Sequence, residues 1–171
     1  VKKELQPKPG MVSNYLHSLA QGDIVELYPP AGDFFLRNST QPTVLISAGV
    51  GQTPMLAMLE TLLSDNPNHD ILYLHACENT QQHSFAHYLN ELSTVYNCLQ
   101  TMTWFNQSSD GADFTGLMGL TAIKTQLPLK NGAFYLCGPA GFMAFVKSQL
   151  LALGVKNEHI HYEVFGPHQD L

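Results

Sequence analysis

From Thr43 onward, short apolar runs alternate with stretches whose apolar positions recur every three or four residues. Residues 44–46 form the first run, Val-Leu-Ile, which reads as a strand buried on both faces. Met55, Leu56, Met58, Leu59, Leu62 and Leu63 then make the core stripe of a helix, which Asp65-Asn66-Pro67-Asn68 ends. The same alternation predicts a strand over 71–77, a helix over 84–96 and a strand over 99–105. A polar loop at 108–113 and a weak helix over 120–126 follow. The pattern closes with a strand over 133–137, a helix over 142–153 stopped by Gly154, and a strand over 160–165. The opening is different. Ser13 or Asn14 reads as the cap of a short helix over 15–20, residues 24–28 alternate at period two, and residues 33–36 suggest one more short strand. A segment this small cannot bury its own core, so residues 1–40 read as the end of a preceding β domain and 41–171 as a separate domain.

Five strands alternating with helices imply an α/β fold, a doubly wound parallel sheet with helices on both faces. The expected strand order is 3-2-1-4-5. Its winding reverses between the first and fourth strands, and open sheets bind ligands in that crevice, beyond the carboxyl ends of the strands. Two conspicuous turns fall there: Gly49-Val50-Gly51-Gln52-Thr53-Pro54 and Cys137-Gly138-Pro139. The first helical N–H groups after such a turn lack partners and carry partial positive charge, which suits a phosphate. Gly49 and Gly51 allow positive φ and let a ligand approach the backbone closely. Thr53 suits the N-cap and Pro54 the first helical position. The dinucleotide fingerprint has a third glycine where this chain has Pro54.

Composition narrows the function. With 44% apolar residues among 171, a proper core is expected. The net charge of −6, from 8 basic and 14 acidic side chains, argues against nucleic-acid and anionic-membrane partners. No apolar run approaches the ~18 residues of a membrane span. Val-Lys-Lys-Glu-Leu at the start is neither a signal peptide nor an initiator methionine, and reads as a cut inside a longer chain. Cys77, Cys98 and Cys137 are scattered and odd in number, which points to a reducing, cytoplasmic setting. His83/His87 and His159/His161 are spaced like metal ligands, but neither pair has a third partner in sequence, so no metal is expected. Trp104 reads as core.

The three motifs Gly49-Val50-Gly51-Gln52-Thr53-Pro54, Cys137-Gly138-Pro139-Ala140-Gly141-Phe142-Met143 and Glu163-Val164-Phe165-Gly166-Pro167-His168, in this order, resemble the reductase portion of bacterial flavohaemoglobins. These belong to the ferredoxin–NADP reductase superfamily. The resemblance covers the whole chain. Ser13-Asn14-Tyr15-Leu16-His17 and Pro30-Ala31-Gly32-Asp33-Phe34-Phe35 resemble the end of that family's FAD barrel. The family implies a globin, an FAD barrel and an NAD(P)H domain, with electrons passing from nicotinamide to flavin to haem and supporting oxidation of nitric oxide to nitrate. The globin is absent here, and so is the Arg-x-Tyr-Ser segment that grips flavin. The chain's partners would be those absent globin and FAD parts, and the fragment by itself is expected to be inactive.

The resemblance also implies roles. Gly49, Val50, Gly51, Gln52, Thr53 and Pro54 would cradle the dinucleotide, and Cys137, Gly138 and Pro139 would flank the nicotinamide. Phe165 would lie on the isoalloxazine, with Val164, Gly166 and Pro167 as backbone contacts. Glu163 would adjust the redox balance of flavin and haem, so Cys137, Glu163 and Phe165 form the expected catalytic group. Ser13 would touch the FAD pyrophosphate, although a plain helix cap is the alternative. Glu78 follows the second strand, where an acid can meet the adenosine ribose. A carboxylate there repels a 2′-phosphate, and no arginine lies within 71–105, so NADH is expected over NADPH. Two rival readings remain at this stage: a reductase component without a globin, and a nucleotide-binding fragment that catalyses nothing.

Overall fold

The apolar runs beyond Thr43 pair side by side as parallel strands. In the computed structural model, which describes residues 3, 5, 8–37, 40–107 and 111–164, these are β1 (Thr43–Ala48), β2 (Ile71–Cys77), β3 (Leu99–Phe105), β4 (Phe114–Thr115), β5 (Ala133–Cys137) and β6 (Ile160–Glu163). The sheet order is β4-β3-β2-β1-β5-β6. With β4 set aside, this is the expected 3-2-1-4-5. β4 is the addition: two residues pair with Trp104 and Phe105 at the edge, too short for an alternation pattern to reveal. Beside it, the backbone N–H of Thr103 donates to the Asp113 carboxylate at 2.7 Å, and the Thr103 hydroxyl donates to the same oxygen at 3.0 Å.

The described residues form four α-helices: α1 (Met11–Ser18), α2 (Gln52–Asp65), α3 (Ala86–Val95) and α4 (Ala140–Ala152). Residues 120–126 form a 3-10 segment kinked at Ile123. Gln149 of α4 holds it, accepting from the Leu120 N–H at 2.9 Å and donating to the Met118 carbonyl at 3.0 Å.

β1 is buried along its whole length, as its unbroken apolar run requires. Side chains alternate between two cores. Val44, Ile46, Leu72, Leu74, Phe134 and Leu136 pack on one face with Met143, Val146 and Leu150 of α4. Leu45, Tyr73, Tyr135 and Cys137 pack on the other with Met55, Leu59 and Leu63 of α2 and Leu89 of α3. Trp104, 2% exposed, stacks on Phe114 at 4.4 Å and is core.

The chain divides into two compact units, Val1–Asp33 and Phe34–Leu171. In the first, the helix begins earlier than sequence suggests. Gly10 is its N-cap, and Ser13 and Asn14 lie inside it, each side chain donating to the Gly10 carbonyl (3.2 and 2.8 Å). The expected strands at 24–28 and 33–36 do not form, so the short β remnant is not seen. Ile24, Leu27 and Tyr28 are among the most exposed apolar side chains described. A single alternating segment without a partner strand has no ladder for its backbone groups, and alternation alone does not make a strand.

Candidate functional site

The site is built where β1 and β5 end. After Ala48 the chain makes a 3-10 turn over Gly49–Gly51, and α2 starts at Gln52. Gly49 has φ +53°, so the turn needs its freedom. Gly51 is different. Its φ is −59°, open to any residue, so the conformational freedom of glycine is not used here. Glycine is required by proximity: a Cβ on Gly51 would fall inside the Cys137 carbonyl group and 2.6 Å from the Gly138 nitrogen. Gly138 is similarly confined, its Cβ position being 3.2 Å from the Ala48 nitrogen and 3.0 Å from the Phe142 ring. The two turns chosen from sequence therefore meet backbone to backbone.

The caps also differ from expectation. Gly51, not Thr53, is the N-cap of α2, and Pro54 lies within the first turn instead of leading it. The Thr53 hydroxyl donates to the Val50 carbonyl at 3.1 Å, bracing the turn. α4 begins directly after Pro139, and no side chain caps either helix. Two uncapped N-termini thus follow two adjacent parallel strands.

Cys137 is fully buried and pairs in register with Ser47 on one side and Glu163 on the other. Burial pushes its thiol up to about 12, and the nearby Glu163 carboxylate adds to the rise. Cys137 is therefore a neutral thiol, not an activated nucleophile. Glu163 and Val164 are half-buried. Phe165, Gly166 and Pro167 lie outside the described residues. Ser13 belongs to the first unit, on α1. Glu78 is exposed just past β2, its carboxylate accepting from the Asn106 side chain at 2.7 Å.

The histidine pairs do not form as spacing suggested. His83 precedes α3 and turns inward, while His87 is exposed beside Glu91 at 3.4 Å. His161 leans on the Tyr135 ring at 4.9 Å. Among the described residues, no cluster of three or more His, Cys, Asp or Glu side chains could hold a metal.

Sequence reasoning missed a polar group buried beneath the first turn. Ser47, 0% exposed, sits 2.8 Å from Nδ1 of His75, and the His75 and His83 rings stack with centroids 5.2 Å apart. The sequence showed only an isolated polar residue late in each of two apolar strands, Ser47 and His75, and nothing local pairs them. Burial, reinforced by His83, lowers His75 to about 3 from its ordinary 6.5. The unfolded chain thus takes up a proton below pH 6.5 that the fold refuses. Stability from this group is intact above about pH 6.5 and lost as pH falls toward about 3, at no more than about 1.4 kcal/mol per pH unit. His83 and His161, also lowered by burial, act in the same direction. A urea midpoint measured at about pH 7.5 and about pH 5 should fall on acidification, and fall less in His75→Gln; equal falls would refute the assignment.

A doubly wound parallel sheet with two helix N-termini at its winding reversal is the architecture of a dinucleotide-binding reductase domain. Comparison with known proteins agrees. Residues 45–148 match the family of oxidoreductase NAD-binding domains, and the chain belongs to that family. It is 48% identical over 164 residues to a flavohemoprotein of Vibrio cholerae, covering 95% of this chain and 41% of that protein. It therefore spans less than half the length of that relative. A crystal structure of the flavohem-like FAD/NAD-binding domain of nitric oxide dioxygenase from Vibrio cholerae superposes with a TM-score of 0.90 at 46% identity. That match covers 98% of this chain and 70% of the other. Flavohemoglobin from Malassezia yamatoensis, solved with FAD and haem, gives a TM-score of 0.78 at 27% identity over 95% of this chain and 42% of that one. No described helix is long and apolar enough to cross a membrane.

Proposed function

We propose that the chain is the NAD(P)H-binding reductase portion of a flavohaemoglobin-type nitric oxide dioxygenase. Residues 41–171 would form the dinucleotide domain and residues 1–40 the end of an FAD-binding barrel. The observation that carries this is the approach of Gly51 to Cys137 and Gly138, so close that neither turn has room for a further side chain between them. Such a cradle fits a pyrophosphate: two uncapped helix N-termini lie side by side, with glycine backbone where a ligand must come close.

The roles are those the resemblance to flavohaemoglobins implies, and the meeting of the two turns supports them for Gly49–Pro54 and Cys137–Pro139. Backbone groups of Gly49, Val50, Gly51 and Gln52, braced by Thr53 and Pro54, hold the phosphates. Cys137, Gly138 and Pro139 border the nicotinamide. A neutral, polarisable thiol can touch that ring without placing charge against it or competing for a proton. When bound, reduced nicotinamide supplies a hydride to flavin. Glu163, next to Cys137 in register, would place negative charge near a ring that becomes more electron-rich on reduction, which lowers its potential. Phe165 would stack on the flavin and yield to nicotinamide, with Val164, Gly166, Pro167 and Ser13 as further FAD contacts. In the whole protein, electrons would pass on to haem in a globin domain and support oxidation of nitric oxide by dioxygen to nitrate. Cys77, Cys98 and Cys137 are all free thiols, which supports a cytoplasmic setting.

Glu78 supports NADH over NADPH. Its carboxylate, fixed by Asn106, would accept from a ribose 2′-hydroxyl and repel a 2′-phosphate. Titration of the 171-residue chain with each nucleotide should give at least about tenfold tighter binding of NADH, a gap that Glu78→Gln narrows. Equal dissociation constants would overturn the role of Glu78. Absence of binding by either nucleotide would overturn the dinucleotide site itself.

A further inference from the structure

Among the described residues, four buried side-chain polar atoms have no hydrogen-bond partner: Gln52 Nε2, the Tyr73 hydroxyl, His75 Nε2 and His83 Nε2. Unpaired buried polar groups are uncommon and destabilising, and each calls for a reason. These four are not scattered. Ser47 pairs in register with His75 and is hydrogen-bonded to it. The Tyr73 hydroxyl has no partner of good geometry, yet Ser47 and Gln52 lie near enough to offset part of the upward push that burial gives it. His83 stacks on His75 at 5.2 Å with 21° between ring planes. The group forms one chain, Gln52–Tyr73–Ser47–His75–His83, under the Gly49–Gly51 turn, which packs against β1 and β2.

Hydrogen-bond chemistry limits what this chain can be. The Ser47 hydroxyl has one proton and two acceptors in reach, His75 Nδ1 at 2.8 Å and the Leu74 carbonyl at 3.4 Å. Whichever it chooses, a neutral His75 keeps either an N–H or a bare lone pair at Nε2. His83 has the same choice. A water between them would donate to one ring nitrogen and accept from the other. Phe105 meets His83 edge-on at 5.8 Å and fixes its ring.

The connection that His83 belongs to gives the chain its use. Residues 78–85 join β2 to α3 and carry Glu78 at one end. At the other end Phe85 has φ 61°, a left-handed conformation costly for a bulky side chain and kept only where its surroundings impose it. We propose that His83 is a positioning residue for the dinucleotide. Bridged to His75 by a buried water, it clamps the 78–85 connection to β2 and Ser47, and so fixes Glu78 relative to the Gly49–Gln52 turn. This rests on the reading that the turn takes the pyrophosphate and Glu78 the adenosine ribose.

Protonation should release the clamp. Among the described residues, the charged or titratable groups that act on His83 are His75 on β2 and Asp113 ahead of β4; Phe105 on β3 carries no charge. A cationic His83 loses its lone pair at Nε2, repels a proton on His75 and is drawn toward Asp113. The bridge then has two donors facing each other, and the connection loosens.

The test is NADH titration of the 171-residue chain and two variants, with thermal unfolding measured alongside. At about pH 7.5, His83→Leu should weaken NADH binding by about fivefold, the scale of one lost hydrogen bond, without unfolding the chain. His83→Gln, which keeps a polar end, should bind within about twofold of the parent at that pH. As pH falls below about 6.5, with burial delaying protonation of His83, the parent should lose affinity and His83→Gln should not. A general packing role would not produce that difference in pH profile. If His83→Leu fails to fold, the His83→Gln profile decides the matter. A parent that binds NADH, with variants matching it in affinity and pH profile, overturns the clamp alone. A parent that binds no dinucleotide overturns the clamp together with the reading beneath it.

Discussion

Gly51→Ala is expected to unfold or severely loosen the nucleotide end of the domain. The added methyl would occupy space held by the Cys137 carbonyl and press on the Gly138 nitrogen. Neither neighbour is the end of a flexible side chain; both are backbone of the join between β5 and α4, fixed by pairing with β1. Relief requires β1 and β5 to part at their carboxyl ends. The expected loss is about 3 kcal/mol, the upper part of the usual range for overpacking. NADH affinity should fall by at least about tenfold even where the variant stays folded, because the two turns no longer share one crevice. Urea unfolding and NADH titration measure the two effects separately. A variant with parental stability and affinity would show that the turns are not in contact. Gly49→Ala provides the contrast. Its Cβ position is open, so its cost comes only from a φ of +53°.

Phe134→Ala is expected to be as damaging to stability and nearly silent for binding. Phe134 is 0% exposed at the second position of β5, pairs in register with Val44 and Ile160, and packs in the core that α4 covers. Removing the ring should cost about 3–5 kcal/mol through lost burial and the cavity left behind. Cys137, on the opposite face, packs with α2. NADH affinity per folded molecule should therefore stay within about twofold of the parent. The two substitutions, both on or against the same strand, separate the face that holds the domain together from the end that holds the ligand. A large loss of affinity in folded Phe134→Ala would mean that the two faces are coupled through β5.

Much of this architecture is written locally. β2 and β5 are largely apolar runs and β3 a mixed segment rich in threonine and aromatic residues, and their limits agree with the pattern in sequence. The order of the five longer strands is the one expected of a doubly wound sheet with right-handed crossovers. The departures arise where distant chain segments decide. Gly51 is glycine because of residues more than eighty positions away, a constraint that no local φ argument can supply. Ile24 to Tyr28 alternates like a strand but has no partner among the described residues. The capping of α2 turns on a 3-10 turn that moves the helix start to Gln52. In the candidate site, both turns were legible as motifs, and topology brought them together. The Ser47–His75–His83 group was not, because its members come from three segments that only the folded sheet aligns.

The outer flank of β3 has one more consequence. Asp113 takes the Thr103 amide with an ionisable oxygen, and β4 covers only the two residues beyond it. A second molecule seeking to extend the sheet there would have to expel a charged side chain from a hydrogen bond it cannot replace with a peptide carbonyl at equal strength. Self-association by strand addition is thereby discouraged on this flank.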